Sequence, residues 1–164
     1  MLCDWKLCDW KSSAVIHHTQ CLFNSYRHWF SQDLLPALSP DPETAAHQLF
    51  LAPFVVLSHG TEPDPVLNYG NQTALNLWEM EWTDFTQMPS RLTAEPDLRE
   101  VRSQLLATAA QQGYLTGYEG VRISKTGQRF LIEEAIIWRV LDDEGNICGQ
   151  AATFAQWKPI AFGT

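Results

Sequence analysis

The sequence contains few cysteines, and their spacing builds no covalent or metal framework. Four cysteines occur in 164 residues, at positions 3, 8, 21 and 148, and no two of them form a Cys-x-x-Cys pair. The five histidines are scattered and form no ligand pair with the cysteines. This pattern disfavours a disulfide-rich scaffold and a zinc site. The chain is therefore expected to fold on a hydrophobic core alone.

Long apolar runs and targeting signals are also missing from the sequence. No stretch approaches the roughly 18 to 20 apolar residues that span a bilayer. The first residues lack the basic and apolar regions of a secretory signal, and residues 161–164 form no lipidation motif. With 45% hydrophobic and 18% charged residues, the composition is that of one globular domain rather than of a disordered chain or a coiled coil. We expect a soluble, cytoplasmic protein.

Positive charge is scarce in this chain. Eleven Lys and Arg stand against 19 Asp and Glu, which gives a net charge of −8. The acidic residues are concentrated over 53–100, where eight of them accompany two arginines, and no cluster of basic residues occurs anywhere. Such a surface repels phosphate backbones and anionic lipids. Nucleic acid and membranes are therefore not expected as direct partners.

The sequence also lacks a recognisable catalytic motif. No Ser-His-Asp arrangement is apparent, and Glu79 and Glu81 are neighbours near a helix end rather than a facing pair of carboxylates. Gly113, Gly117 and Gly120 do not have the spacing of a phosphate-binding loop. We therefore expect no enzymatic activity, with a small α+β enzyme of an unrecognised type as an alternative.

The first 42 residues divide into two segments. Residues 2–6, Leu-Cys-Asp-Trp-Lys, recur unchanged directly afterwards, and we interpret residues 1–13 as a duplicated, flexible terminus. Over 14–35, apolar side chains recur at steps of three and four residues, which predicts an amphipathic helix. Three prolines then form a linker that neither helix nor strand crosses. Residues 14–42 thus make up a helix and a proline-rich connection.

The remaining sequence alternates between strand and helix patterns that are separated by turn residues. In chain order we predict a short helix at 43–50, strands at 54–59 and 66–69, a helix capped by Asn71, helical turns over 82–96, a long helix from Pro96 to Gly113, and antiparallel strands at 114–124, 128–141 and 147–157. These elements form an α+β domain at 43–158, followed by a tail at 159–164.

The strand predicted at 128–141 is apolar on both faces. Strict alternation places Phe130, Ile132, Ile136, Trp138 and Val140 on one face and Leu131, Ala135, Ile137 and Leu141 on the other. Both faces of the sheet must therefore be covered. The internal helices cover one face. The N-terminal helix of the same chain covers the other face, or a second copy of the chain covers it. We expect a homodimer.

Four stretches of the sequence together resemble a known family. They are Phe-Val-Val-Leu-Ser-His-Gly at 54–60, Asn-Tyr-Gly-Asn-Gln-Thr-Ala-Leu-Asn-Leu-Trp-Glu-Met at 68–80, Pro-Ser-Arg-Leu-Thr-Ala-Glu-Pro at 89–96 and Gly-Gln-Ala-Ala-Thr-Phe at 149–154. In this order they resemble the MEKHLA domain, a PAS-like family. The resemblance implies a PAS-like fold, a five-stranded antiparallel sheet with helices on one face, to which this chain adds an N-terminal amphipathic helix. It also implies a sensory or regulatory module related to light, oxygen and redox sensors, without an established ligand.

One comparison within the PAS group concerns flavin. Flavin-binding photosensors carry Asn-Cys-Arg-Phe-Leu before the long helix, and their cysteine forms a light-driven bond to flavin. The similar stretch here reads Pro-Ser-Arg-Leu-Thr at 89–93. A serine hydroxyl is far less nucleophilic than a thiol, so the resemblance implies no adduct photochemistry. Non-covalent binding of flavin or another flat small molecule stays open, with Arg91 meeting a phosphate or carboxylate and Gln150 pairing with a ring edge. Ser90 is a further candidate ligand-binding residue in this stretch.

Two other candidate site residues lie near the first two strands. Asn71 is most simply a helix cap, which leaves Asn68 as the asparagine available to a pocket. His59, at the end of the first strand, is either a switch that titrates near neutrality or, more simply, a hydrogen-bonded loop histidine.

Glu134 lies within the apolar middle strand. If it faces the core, burial raises its pKa and makes it a proton-sensing or ligand-pairing group. The simpler interpretation pairs it with Arg122 or Arg129 across the hairpin. Among the tryptophans, we expect Trp78 and Trp138 in the core.

These observations support two hypotheses from different classes. The first is a sensory module that binds a small ligand, or responds to redox, light or oxygen, and signals through a regulatory protein partner or a dimer interface. The second is a ligand-free dimerisation domain that acts on partners through its sheet face and N-terminal helix. Trp82 and Trp157 are the two tryptophans that we expect to contact a ligand if one binds.

Overall fold

Two helices precede a six-stranded antiparallel sheet, and further helices are inserted between its second and third strands. The computed structural model describes residues 9–95 and 99–161. In chain order the elements are a 3-10 turn at Asp9–Lys11, α1 (Ser13–Phe30), α2 (Pro42–Phe50), β1 (Val55–His59), β2 (Leu67–Gly70), α3 (Gln72–Trp78), α4 (Trp82–Phe85), a second 3-10 turn at Ser90–Thr93, α5 (Arg99–Gln112), β3 (Tyr114–Ile123), β4 (Arg129–Leu141), β5 (Ile147–Phe154) and β6 (Gln156–Ile160). The predicted α+β class is confirmed, and so is the cap at Asn71, whose Oδ1 accepts a hydrogen bond from the Ala74 amide at 3.1 Å.

The strands pair in the order β2-β1-β5-β4-β3, and every pairing is antiparallel. After a bend at Ala155, β6 pairs with Arg129–Glu133 of β4, whereas β5 pairs with Ile136–Leu141. The last predicted strand is therefore two strands. Its pairing continues to Ile160, into the residues that the sequence assigned to a tail.

A bulge in β4 decides which side chains face each side of the sheet. Glu134 has a φ of 53°, and the pairing steps from Ile132 opposite Gly120 to Ala135 opposite Tyr118, so β4 has one residue more than β3 at this point. Side chains before and after a bulge alternate in opposite phase. The prediction of strict alternation is therefore wrong. The inner face, toward α3 and α5, carries Phe130, Ile132, Ala135 and Ile137, while Trp138 lies on the outer face.

Helix α1 covers the outer face of its own sheet. The Trp138 indole donates to Ser25 Oγ at 3.1 Å, and the Tyr26 ring packs edge-on against Trp138 at 5.1 Å between ring centres. One turn later the Trp29 indole donates to the Arg139 carbonyl oxygen at 2.9 Å. Buried polar groups are hydrogen-bonded in stable interfaces. This helix is therefore part of the same core as the sheet.

Helix α1 ends earlier than its hydrophobic pattern predicts. It stops at Phe30 rather than near residue 35, because Ser31 adopts a left-handed conformation (φ 56°) and its amide donates to the Arg27 carbonyl oxygen at 2.8 Å. A left-handed residue that closes the last turn is a common helix end. Arg27 also pairs with Asp33 at 2.7 Å, which folds the chain back over the helix end.

Part of the predicted flexible terminus lies against the domain. Trp10 is buried, and its ring stacks on His47 of α2 at 4.8 Å between ring centres. Residues 1–8, which contain most of the five-residue duplication, lie outside the described residues. The second copy of the duplicated tryptophan thus belongs to the hydrophobic core.

Helix α5 packs on the sheet through a narrow face. Ala109 is buried on this face, whereas Val101 is 56% exposed. The predicted start of the helix at Pro96 lies outside the described residues. The predicted end is confirmed, because Gly113 follows the last helical residue with a φ of 93°.

We expect Gly113→Ala to lower the free energy of unfolding by roughly 2 kcal/mol or more. The alanine needs a left-handed conformation that costs about 1 kcal/mol, and its Cβ meets the ring of Trp29. Gly145→Ala is the matched control, because Gly145 also has a positive φ (82°) but an added Cβ there meets no atom within 4 Å. Urea unfolding of both variants measures the difference. Equal losses would contradict a tight contact between Trp29 and the end of α5.

Candidate ligand-binding site

A small cavity lies between the inner face of the sheet and α3, α5 and the second 3-10 turn. Its volume is about 50 Å³, which is room for roughly four water molecules. Most of its wall is apolar, with Leu57, Ile137 and Phe154 from the sheet and Leu106 from α5. Polar side chains occupy the rest of the wall, and they are His59, Ser90, Thr93, Arg102, Arg122 and Gln150.

Two arginines approach this cavity from opposite sides. Arg122 of β3 is 7% exposed, and its guanidinium donates to Tyr118 Oη at 2.7 Å and to the Val121 carbonyl oxygen at 2.9 Å. Arg102 of α5 donates to the hydroxyl of Ser90. Burial, and then the positive charge of Arg122, lower the pKa of Arg102 to about 10. The Arg102 guanidinium therefore stays charged at neutral pH, and the positive charge of Arg122 repels it.

No negative charge from the described residues balances this pair. Within 9–95 and 99–161, no Asp or Glu lines the cavity, and neither Arg102 nor Arg122 forms an ion pair. Removing a charge from water costs several kcal/mol unless an opposite charge and hydrogen bonds compensate it. The arrangement therefore favours an anion that enters from outside the chain.

The cavity adjoins a larger surface groove of about 710 Å³. His59, Ser90, Arg102 and Gln150 line both spaces, so these side chains form the wall between the cavity and the groove. Burial lowers the pKa of His59, so its ring is neutral at pH 7 and adds no further charge.

Sequence reasoning placed two of its five candidate residues in this wall. Ser90 and Gln150 line the cavity, and Gln150 is buried. Arg91 lies on the groove instead, where its Nε is 3.2 Å from a carboxylate oxygen of Asp64. Asn68 is exposed on β2 and accepts a hydrogen bond from the Ser58 hydroxyl, away from the cavity.

The position of Glu134 contradicts both interpretations of this residue that were drawn from the sequence. It is exposed at the β4 bulge, because the extra residue turns its side chain away from the core. Among the described residues it pairs with neither Arg122 nor Arg129. Arg129 instead contacts Glu95, and Arg122 points into the cavity. Glu134 therefore lies outside the candidate site.

The tryptophan that lines the cavity is not one of the two that were expected to contact a ligand. Trp78, expected in the core, is buried and lines the cavity. Trp82 packs edge-on against Phe50 and Tyr69, and Trp157 packs against Phe154. Neither of these two is among the described residues that line the cavity, whereas Trp78 lines it.

Arg102 and Arg122 are the site residues that sequence reasoning missed. A local signal for Arg122 was present, because Tyr118, Gly120 and Arg122 alternate along β3 and so share a face. A Cβ at Gly120 would lie 2.6 Å from Tyr118 Oη, so the glycine makes room for the contact between tyrosine and arginine. Arg102 has no such signal in the sequence. Its neighbours depend on how α5 packs on the sheet, and the bulge in β4 changes which side chains face α5.

A separate polar contact holds α1 to the outer face. His18 Nε2 is 2.9 Å from Ser58 Oγ, and the Ser58 hydroxyl donates to Asn68 Oδ1 at 2.5 Å. Because that hydroxyl has a single proton, the His18 ring donates from Nε2. Burial, and then the neighbouring His17, lower the pKa of His18 to about 4. The ring is therefore neutral in the folded protein above this pH.

This contact makes folding sensitive to mild acid. Between pH 6.5 and 4 the unfolded chain binds a proton at His18 that the folded chain does not, so stability falls as the pH decreases through this window. From pH 7 to pH 5 we expect a loss of about 2 kcal/mol in the free energy of unfolding from this residue. His18→Gln keeps a donor without the titration. Urea unfolding at both pH values should show a smaller loss in the variant, and equal losses would contradict a buried, neutral His18.

Comparison with known proteins identifies the family of this chain. The family model described as MEKHLA domain matches residues 16–159. The chain belongs to the MEKHLA domain family. Homeobox-leucine zipper protein ATHB-14 from Arabidopsis thaliana is 31% identical over 119 residues, which cover 71% of this chain and 14% of that protein. Homeobox-leucine zipper protein HOX10 from Oryza sativa subsp. japonica is 23% identical over 135 residues, 82% of this chain and 16% of that protein. This MEKHLA chain thus spans a small part of the length of these relatives.

Solved structures show the same fold. A PAS domain of a protein from Colwellia psychrerythraea superposes with a TM-score of 0.60 at 15% identity, covering 72% of this chain and 95% of that domain. A light-oxygen-voltage domain that was studied with a flavin analogue superposes with a TM-score of 0.56 at 16% identity, covering 73% and 86%. This MEKHLA domain therefore has a PAS-like fold. Among the described residues, no helix is long and apolar enough to cross a membrane.

The volume of the cavity can be compared with the expectation that a flavin binds non-covalently. Pockets for drug-sized ligands measure about 300 to 1,000 Å³, whereas this cavity measures about 50 Å³. A flavin ring therefore requires Arg102, Arg122 and Tyr118 to move out of the space that they occupy. The present arrangement fits a much smaller solute.

Proposed function

We propose that this MEKHLA domain is a sensory or regulatory module whose cavity binds a small anion, without catalysis and without adduct-forming photochemistry. The observation that carries the proposal is the pair formed by the half-buried Arg102 and the buried Arg122, without a carboxylate partner among the described residues of the cavity wall. A short carboxylate suits the small volume and the partly apolar wall. Ser90 and Gln150 supply further hydrogen-bonding groups at its mouth.

Binding of an anion between the arginines connects two elements. Arg122 lies on β3 and Arg102 lies on α5, so one carboxylate that accepts from both guanidinium groups draws the helix toward the sheet. Helix α5 is suited to such a movement, because few of its side chains are buried. A change in α5 is then the signal that the domain transmits.

The partner that receives this signal is a regulatory protein or a second copy of the chain. Helix α5 exposes Val101, and Ser103 of the same helix lines the groove, so a movement of α5 alters an accessible surface. Relatives that carry the domain are named homeobox-leucine zipper proteins, which favours a role in regulation. Light scattering with and without ligand distinguishes a change of oligomeric state from recruitment of another protein.

Acetate and acetamide test the proposal because they differ in charge but hardly in size. At constant ionic strength we expect acetate to raise the melting temperature in a saturable way and calorimetry to give one site per chain. Acetamide should have no effect. Inorganic phosphate and succinate extend the series to higher charge and larger volume. Equal effects of acetate and acetamide, or no effect of any anion, would contradict binding by the arginine pair.

A further inference from the structure

Three side chains with metal-binding atoms meet where α1 passes the turn between β4 and β5. His17 and Cys21 lie one helical turn apart on α1, and Asp143 lies in the turn. One imidazole nitrogen, the thiol sulfur and one carboxylate oxygen all lie within 4.8 Å of one another. His17 Nε2 and Asp143 Oδ2 are already 2.7 Å apart. This cluster lies on the side of the sheet that α1 covers, so it is separate from the arginine cavity.

The donor set suits a zinc ion. Zinc binds cysteine sulfur at about 2.3 Å, histidine nitrogen at about 2.0 Å and carboxylate oxygen at about 2.0 to 2.2 Å in a tetrahedral arrangement. Ligand atoms in such a site are about 3.3 to 3.7 Å apart. Residues at positions i and i+4 of a helix share a face, which explains how His17 and Cys21 reach the same point.

The contact between His17 and Asp143 contributes little to stability without a metal. The His17 and Asp143 side chains are 59% and 68% exposed, and exposed ion pairs add little to stability. Cys21 is 4% exposed, and Asp142 and Asp143 place negative charge near its thiol. A divalent cation at this point compensates the acidic surroundings and replaces the thiol proton.

We propose that His17, Cys21 and Asp143 bind one Zn²⁺ ion, with water in the fourth position, and that the ion fixes α1 to the β4–β5 turn. Binding converts the Cys21 thiol to a thiolate and releases its proton to solvent, with no change of oxidation state. Sequence spacing disfavoured zinc because the ligands come from two distant segments, and only the fold of α1 onto β4 brings them together.

Cobalt titration tests this site, because Co²⁺ occupies zinc sites and gives thiolate charge-transfer and visible d–d bands. The protein used is the full chain with Cys3→Ser and Cys8→Ser, which leaves Cys21 and Cys148 as its cysteines. We expect bands that saturate at one Co²⁺ per chain and disappear when one equivalent of Zn²⁺ is added. Melting curves should shift upward with Zn²⁺. No thiolate band, or a band that requires many equivalents, would overturn the proposal.

Variants of the same protein assign the ligands. Cys21→Ser should remove the charge-transfer band, and His17→Ala should weaken cobalt binding at least tenfold, a loss typical of disturbed metal sites. His17 is exposed, so its replacement leaves folding intact if Cys21→Ser does not fold. His28→Ala is the matched control, because His28 is an exposed histidine on the same helix. Binding that is as tight in His17→Ala as in His28→Ala would overturn the assignment.

Discussion

Arg122→Met is expected to abolish the stabilisation by acetate and, in buffer without acetate, to raise the free energy of unfolding by about 1 to 3 kcal/mol. The gain arises because the variant removes the buried charge of Arg122 and its repulsion of Arg102, and this outweighs the loss of the hydrogen bonds from Arg122 to Tyr118 and Val121. The acetate response disappears because one guanidinium cannot hold the carboxylate from both sides. Urea unfolding and calorimetry with acetate measure both effects.

Arg91→Met is the control for this variant. Arg91 lies on the groove, is partly exposed and pairs with Asp64 at 3.2 Å, so its loss should change stability by less than about 1 kcal/mol. Its acetate response should equal that of the unaltered protein. If Arg122→Met keeps the acetate response, or if Arg91→Met loses it, the anion binds elsewhere in the chain.

Asn71→Ala is expected to cause the largest loss of stability, about 3 to 5 kcal/mol. Asn71 is fully buried, and its Oδ1 accepts from the amides of Val56 and Ala74, both at 3.1 Å. Its Nδ2 donates to the carbonyl oxygens of Leu49 at 3.1 Å and Phe54 at 2.8 Å. One side chain thus connects the end of α2, the start of β1 and the first turn of α3. Alanine leaves four buried backbone groups without these partners, and each costs roughly 1 kcal/mol or more.

Two further variants serve as comparisons for Asn71→Ala. Gln72→Ala changes the adjacent residue, whose side chain bonds to Asn76 at 2.8 Å on the surface, and it should cost less than about 0.5 kcal/mol. Asn71→Asp keeps the acceptor but turns a carboxylate toward two carbonyl oxygens, so it should be nearly as destabilising as alanine. A loss below about 1.5 kcal/mol in Asn71→Ala would show that the three elements hold together without this residue.

Local features of the fold could be predicted from the sequence because each depends on a few adjacent residues. The cap at Asn71 follows from the change of period after it, and the end of α5 follows from Gly113. The amphipathic pattern also identified α1, although it predicted a helix about one turn longer than the observed one. The helix ends at Phe30 because Ser31 takes a left-handed conformation, which the sequence around a serine does not indicate.

The candidate site could be predicted only in part because it depends on long-range geometry. Strict alternation along β4 seemed to fix which side chains face inward, but one extra residue at Glu134 reverses the phase. Ser90 and Gln150 were identified through a family resemblance, whereas Arg102 and Arg122 meet only because α5 crosses the bulged strands. The same limit applies to His17, Cys21 and Asp143, which lie far apart in sequence.

A crystal structure of the protein with the tightest-binding carboxylate of the series tests the central claim most directly. The account predicts electron density for the carboxylate inside the cavity, with its oxygens within hydrogen-bond distance of both the Arg102 and the Arg122 guanidinium groups. Density for an Asp or Glu side chain of the same protein between the two arginines, or a carboxylate bound only outside the cavity, would contradict it.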